Sequence, residues 1–195
     1  MDTPTFYGGV SYTQKGMTEL FKHITYNANF SILEFGSGNS TAKLHEHFKK
    51  NVENLVFYSY ESDSRFLKPH AEIKFVLYDD QDVKSVEIPQ IAFDLILVDG
   101  STADKRAIFS KIRENVKDGT ILLIDYFNHF ESFADQLAGN FEYDLLASNN
   151  EPFIAYGEHS WCIVRVKLPW SPPTVSKDGA WLYKNQLYNI TYDIV

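Results

Sequence analysis

Ser31-Ile32-Leu33-Glu34-Phe35-Gly36-Ser37-Gly38-Asn39-Ser40-Thr41 passes from an apolar strand, through a turn holding two glycines, to the start of a helix. Ile32 and Leu33 read as the end of a buried strand. Gly36 and Gly38 let the backbone turn sharply and come close to a ligand, where any Cβ would collide. Ser40 and Thr41 carry hydroxyls that can cap a helix whose free N–H groups face that ligand. Strand, glycine turn and helix start in immediate succession form a nucleotide-type ligand cradle, and the rest of the chain can be placed around it.

On the N-terminal side, residues 1–12 hold Pro4, Gly8 and Gly9 with Phe6, Tyr7 and Tyr12, the composition of an arm rather than a regular element. A helix is expected next, capped by Ser11 or Thr13, with Met17, Leu20, Phe21 and Ile24 on one face. On the C-terminal side, Thr41 to Lys50 reads as a helix with Leu44 and Phe48 turned inward. His45 and His47 on that helix are two residues apart and project in different directions, so they are read as solvated and not as sharing a metal.

The alternation then repeats. Leu55 to Tyr60 is a strand ending in Glu61-Ser62-Asp63, Arg65 to Lys68 a short helix stopped by Pro69, and Ile73 to Tyr78 a strand ending in Asp79-Asp80. Phe93 to Val98 is a near-continuous apolar strand ending in Asp99-Gly100, as expected where both faces of a sheet are covered. A helix with Ile108, Ile112 and Val116 at fourfold spacing follows and stops at Gly119; Thr120 to Ile124 is the next strand, ending in Asp125-Tyr126. Phe130, Phe133 and Leu137 fit one more helix, ended by Gly139-Asn140. Tyr143 to Ala147 and Ser160 to Val166 are the last strands, paired antiparallel around the turn cluster Ser148-Asn149-Asn150-Glu151-Pro152.

Strands alternating with helices predict an α/β fold: a doubly wound, mostly parallel seven-stranded sheet with an antiparallel last strand and helices on both faces. Ligands of such sheets lie at the carboxyl ends of the strands. Glu34, Glu61, Asp79, Asp80, Asp99 and Asp125 would gather along that edge.

The 195 residues suit one domain, 1–168, followed by a tail, 169–195, in which Pro169, Pro172 and Pro173 break regular structure. Trp170, Trp181, Tyr183, Tyr188 and Tyr192 make that tail aromatic, and Lys184-Asn185-Gln186 can turn a short hairpin in it. It is expected to pack on the domain or on a second subunit, forming a homodimer. A content of 44% hydrophobic and 23% charged residues is that of a globular chain rather than a disordered or membrane protein. No apolar run is long enough to span a bilayer, and Met1-Asp2-Thr3-Pro4 lacks the start of a signal peptide, so a cytoplasmic protein is expected. Cys162, the single cysteine, agrees with that and reads as a small buried apolar residue of a strand. The net charge of −8 argues against a nucleic-acid partner, whose affinity needs clustered Lys and Arg.

The glycine turn and the acid ending the next strand, Glu61, are the signature of a nucleoside-bearing cofactor. A dinucleotide site wants a third glycine where Thr41 stands. Glu34, two residues before Gly36, would repel a pyrophosphate but can hold an ammonium group. Over residues 31–166 the chain resembles the class I S-adenosylmethionine-dependent methyltransferases. Glu34-Phe35-Gly36-Ser37-Gly38 is similar to the acid and Gly-x-Gly of that family, Glu61 to its ribose-binding acid and Asp79 or Asp80 to its adenine-side acid. Phe93 to Gly100 is similar to its fourth-strand segment.

The resemblance implies S-adenosylmethionine as cofactor, in-line transfer of its methyl group, and a cofactor site of Glu34, Gly36, Ser37, Gly38, Ser40, Thr41, Glu61, Ser62, Asp79, Asp80 and Asp99. The acceptor is read as a hydroxyl of a small molecule or sugar. The Asn/Asp-Pro-Pro-aromatic motif of the nucleobase-N enzymes is absent at Asp99-Gly100-Ser101-Thr102, and Cys162 is not in the Pro-Cys pair of the cytosine-C5 enzymes. Cation-dependent O-methyltransferases carry two acidic or amide residues after the fifth strand. Asp125-Tyr126 offers one, so no metal is assigned. Asp99 and His129 are the candidate bases, with His159 weaker. Lys105 and Arg106 read as a solvated helix face that an anionic acceptor could also use. The other readings are aminopropyl transfer on the same fold, a non-catalytic binding or assembly module, and, more distantly, a nicotinamide-dependent oxidoreductase.

Overall fold

The computed structural model describes residues 14–67, 70–79, 83, 85–99, 102–126, 137–149, 160–169, 174, 175, 181–183 and 186–188. Seven strands form the main sheet: β1 (Asn29–Phe35), β2 (Asn54–Glu61), β3 (Lys74–Leu77), β4 (Phe93–Val98), β5 (Val116–Tyr126), β6 (Glu142–Asn149) and β7 (Ser160–Lys167). Their order is β3-β2-β1-β4-β5-β7-β6. The strands from β3 to β5 pair parallel, and β7 lies antiparallel to both β5 and β6. The doubly wound reading holds, with the antiparallel strand inserted between β5 and β6. The order reverses between β1 and β4, the place where sheets of this kind take their ligands, at the strand carboxyl ends.

The strands are apolar on both faces because both are covered. Leu33, Phe35, Ile96, Val98, Leu122, Ile124 and Val164 point into one core with Ile108, Phe109 and Ile112, which belong to α3 (Thr102–Lys111) and the 3-10 turn after it. Phe30, Ile32, Leu95, Leu97, Leu123 and Ile163 point into the other. There they meet Met17 and Leu20 of α1 (Gln14–His23) and Leu44 and Phe48 of α2 (Asn39–Asn51). Each fully buried Leu, Ile or Phe contributes about 1.5–3 kcal/mol. Cys162 is buried, as its strand context implied. A separate three-stranded antiparallel sheet joins β8 (Thr174–Val175), β9 (Trp181–Tyr183) and β10 (Gln186–Tyr188). Gln186 stands opposite Tyr183, the hairpin read at Lys184-Asn185-Gln186. No helix of the described residues is long and apolar enough to cross a membrane.

Three expectations are corrected. Of the helix expected at Arg65 to Lys68, Arg65 and Phe66 lie in a turn closed by Phe66 N–H on the Asp63 carbonyl at 3.0 Å, Leu67 has no regular structure, and Lys68 lies outside the described residues. The Asp63 carboxylate takes the Arg65 N–H at 2.9 Å and its guanidinium, a local capture that competes with helix continuation. Val116 is not on the preceding helix but opens β5 opposite Phe93. Asn115 ends the helical segment by donating its side-chain amide to the carbonyls of Pro89 (2.7 Å) and Ile91 (3.0 Å). Gly119 lies inside β5 at φ +87°, in an irregular stretch where Thr120 Oγ1 accepts the Lys117 N–H and donates to the Phe93 carbonyl.

The third correction concerns His45 and His47, which are 4% and 9% exposed rather than solvated. His47 Nε2 lies 2.7 Å from the Tyr26 hydroxyl, and its ring stacks on Phe21. His45 turns the other way, toward His70 and Glu72. The caps at Ser11 or Thr13 and the helix positions Phe130 and Phe133 lie outside the described residues. Residues 137–140 are helical, in line with a helix ending at Gly139-Asn140.

Candidate active site

The site is built at the reversal of strand order, where the ends of β1, β2 and β4 are stitched together by the backbone. Gly36 N–H donates to the Tyr60 carbonyl at 2.8 Å and Asp99 N–H to the Phe35 carbonyl at 2.8 Å. Gly36 sits at φ +99°, and a Cβ there would come 2.9 Å from the Asp99 Cβ. Both the left-handed backbone and the close approach demand glycine. The reason differs from the expected one, since the first neighbour a side chain would strike is Asp99 rather than a ligand. Around Gly38, by contrast, a Cβ would meet nothing within 4 Å, and that side of the turn is open.

Gly38, at the extended φ of −174°, is the N-cap of α2, so Ser40 and Thr41 lie within its first turn rather than before it. The expected capping is carried by Thr41, from the third helical position rather than from the cap itself. Thr41 Oγ1 accepts the Gly38 N–H at 2.8 Å, which closes the turn, and both Ser40 and Thr41 are buried.

Glu34 is fully buried on the face of β1 that looks toward α2. Its Oε2 accepts the Ser59 hydroxyl at 2.6 Å, and Ser59 Oγ also stands 2.6 Å from Ser37 Oγ. Among the described residues Glu34 Oε1 has no hydrogen-bond partner. Burial drives the Glu34 pKa up to about 8 against the pull of the Ser59 and Thr41 hydroxyls, and the charges of Asp99 and Glu61 push the same way as burial. A buried carboxylate short of a donor and near two other acids is a site for positive charge.

Glu61, at the end of β2, is 7% exposed. Its Oε1 accepts the backbone N–H groups of Ser62 and Asp63, each at 2.8 Å, which fixes the carboxylate. Burial again pushes its pKa up, against the backbone N–H groups of Asp63, Ser62 and Ser37.

The structure thus brings Glu34, Gly36, Ser37, Gly38, Thr41, Glu61, Ser62 and Asp99 to one edge. Asp79 lies just past β3 and is exposed, while Asp125 is buried in β5 opposite Trp161. Asp80, His129 and His159 lie outside the described residues, and of Lys105 and Arg106 only the helical backbone is described. The residue that sequence reasoning missed is Ser59, the hydroxyl joining Glu34 to Ser37. Its signal was a lone serine in the apolar run Leu55 to Tyr60, two residues before the acid.

The course of the chain through this sheet is that of a fold with many solved examples. The chain has the S-adenosylmethionine-dependent methyltransferase fold. It superposes on the precorrin-6y C5,15-methyltransferase of Geobacter metallireducens with a TM-score of 0.59 at 11% identity, over 81% of this chain and 90% of that one. The N-methyltransferase NodS of Bradyrhizobium japonicum gives 0.57 at 13% identity, over 79% and 95%. The StiE O-MT gives 0.59 at 14% identity, over 80% and 74%. No protein-family model and no curated protein sequence matches the chain. Methyltransferase-fold neighbours named for N- and O-methylation at comparable scores show that the fold leaves the acceptor open.

Proposed function

We propose that the chain is an S-adenosylmethionine-dependent methyltransferase that methylates a hydroxyl of a small molecule or sugar. The observation that carries this reading is Glu34, a fully buried carboxylate with one oxygen unpartnered, near the end of β1 just before the turn into α2. Nothing in a dinucleotide's pyrophosphate would satisfy that oxygen, whereas a cationic cofactor would. The residues present therefore fit S-adenosylmethionine, which when bound supplies a methyl group activated by a sulfonium.

In this reading Glu34 holds the ammonium of the methionine part, and the open side of Gly38 leaves room for that part against the backbone. Glu61, its carboxylate already braced by two backbone N–H groups, accepts the ribose hydroxyls. Asp79 lies on the adenine side. Asp99 stands at the end of β4 beside Gly36 and takes the proton of the acceptor hydroxyl, with His129 the second candidate for that role. Alignment of the acceptor supplies most of the remaining acceleration.

Isothermal titration calorimetry with S-adenosylmethionine and S-adenosylhomocysteine tests the cofactor. Saturable binding of both is expected, and no heat from folded protein at millimolar ligand would end this reading. With a labelled methyl donor and a panel of hydroxylated acceptors, label recovered on oxygen supports the acceptor class; label recovered on nitrogen or carbon replaces it.

A further inference from the structure

We propose that His45, His70 and Glu72 form a binding site for a zinc-class divalent ion that clips the β2–β3 connection onto α2. This goes beyond the methyltransferase reading and does not depend on it. His45 comes from the middle of α2 with its side chain 5% exposed; His70 and Glu72 come from the connection just before β3. The two imidazole rings lie 4.4 Å apart between centroids, and His45 Nε2 is 3.5 Å from Glu72 Oε2. One ligand atom from each residue lies within 4.8 Å of the other two. Around a tetrahedral ion with bonds of about 2.1 Å the donors stand roughly 3.4 Å apart. The His45–Glu72 separation already matches. Closing the rest takes at most about 1.4 Å of side-chain movement, which the half-buried His70 and the exposed Glu72 can supply.

The donor chemistry selects the ion. Two imidazoles and one carboxylate suit zinc, cobalt or nickel, whereas magnesium and calcium call for oxygen ligands. The carboxylate is supported from outside: Lys49 Nζ contacts Glu72 Oε1 at 2.6 Å and leaves Oε2 toward His45. The Glu72 N–H also approaches His70 Nδ1 at 3.3 Å, so the two residues of the connection are already folded toward each other. Three protein ligands leave the fourth position to water. The connection so clipped begins at Glu61-Ser62-Asp63, which links this flank to the strand-end acids.

The test is a titration of metal-free protein with zinc chloride, read by calorimetry and thermal melting. One zinc per chain, with micromolar or tighter affinity and a melting temperature raised by several degrees, is expected. His70→Ala and Glu72→Gln, both at side chains that are not buried, should fold as the parent does, weaken zinc binding at least tenfold and lose the thermal shift. Cobalt loaded into the parent protein should give intense visible absorption of four-coordinate ions, reduced in His70→Ala. Absence of zinc binding by the parent overturns the proposal, as does binding left unchanged in both variants. These readouts involve no methyl donor, so they stand or fall apart from the proposed activity.

Discussion

The two ends of the main sheet each carry a carboxylate on a central strand, and they treat it in opposite ways. At the amino end Asp94 on β4 accepts the Ser31 N–H at 2.8 Å and the Ser31 hydroxyl at 2.9 Å, and pairs with Lys117 Nζ at 2.5 Å. Its side chain is 13% exposed, and its donors tie β1, β4 and β5 together. At the carboxyl end Glu34 on β1 is fully buried, draws on the hydroxyls of Ser59 and Thr41 but on no described cation, and keeps one oxygen without a partner at hydrogen-bond distance. The amino-end acid is a brace whose needs the fold meets, and the carboxyl-end acid has a need the fold leaves open. In a doubly wound sheet that asymmetry coincides with where ligands bind.

The largest effect expected tests the carboxyl-end architecture itself. Gly36→Ala must accept both a positive φ and a Cβ placed 2.9 Å from that of Asp99. A loss of about 3 kcal/mol in stability is expected from chemical denaturation. If the variant were as stable as the parent, the tight handover between β1 and β4 would not be what that glycine serves.

Glu61→Ala comes next. Removing a carboxylate meant for two hydroxyls should weaken S-adenosylmethionine binding on the order of 100-fold by calorimetry, since hydrogen bonds to a charged group contribute about 1.5–3 kcal/mol each. A change under threefold would take Glu61 out of the site. Asp94→Ala supplies the counterpart at the amino end. It orphans the Ser31 N–H and Lys117, so about 2 kcal/mol of stability should go while cofactor affinity stays within twofold. A drop in affinity as large as that of Glu61→Ala would erase the distinction between the two ends.

How much of this could be read from residues alone depends on what kind of signal each feature leaves. Phe93 to Val98 and Thr120 to Ile124 were legible because strands covered on both faces must be apolar throughout. The strand-end acids were legible because each interrupts such a run. Val116 was misread because fourfold spacing from Ile108 and Ile112 continues by chance into β5; what stops the helix is the Asn115 amide reaching the carbonyls of Pro89 and Ile91, residues distant in sequence. His45 and His47 were judged by their separation from each other. Judged against Leu44 and Phe48, each lies three residues from one of the two core positions and next to the other, on the margins of the buried stripe. Ser59 was missed because its partner, Glu34, becomes its neighbour only when β1 pairs with β2.

The finest test of the comparison is the pH response of Glu34. An unfolded glutamate releases its proton near 4.5, whereas the folded one holds it to about 8. Between those values the folded chain binds more protons than the unfolded one, so this group's contribution to stability is fully present below 4.5 and is lost as pH rises toward 8. Glu34→Gln should remove that decline in the ligand-free protein. For a cationic cofactor the sign reverses, because the ammonium needs the ionised carboxylate and binding must expel the proton. Affinity should therefore rise roughly fiftyfold between about pH 6 and pH 8 and then level off, with proton release visible as buffer-dependent heat near neutrality. In Glu34→Gln both the rise and the released proton should vanish. If the variant kept the parent's pH profile, the unpartnered oxygen would not be the one that meets the cofactor, and the two ends of the sheet would differ in packing alone.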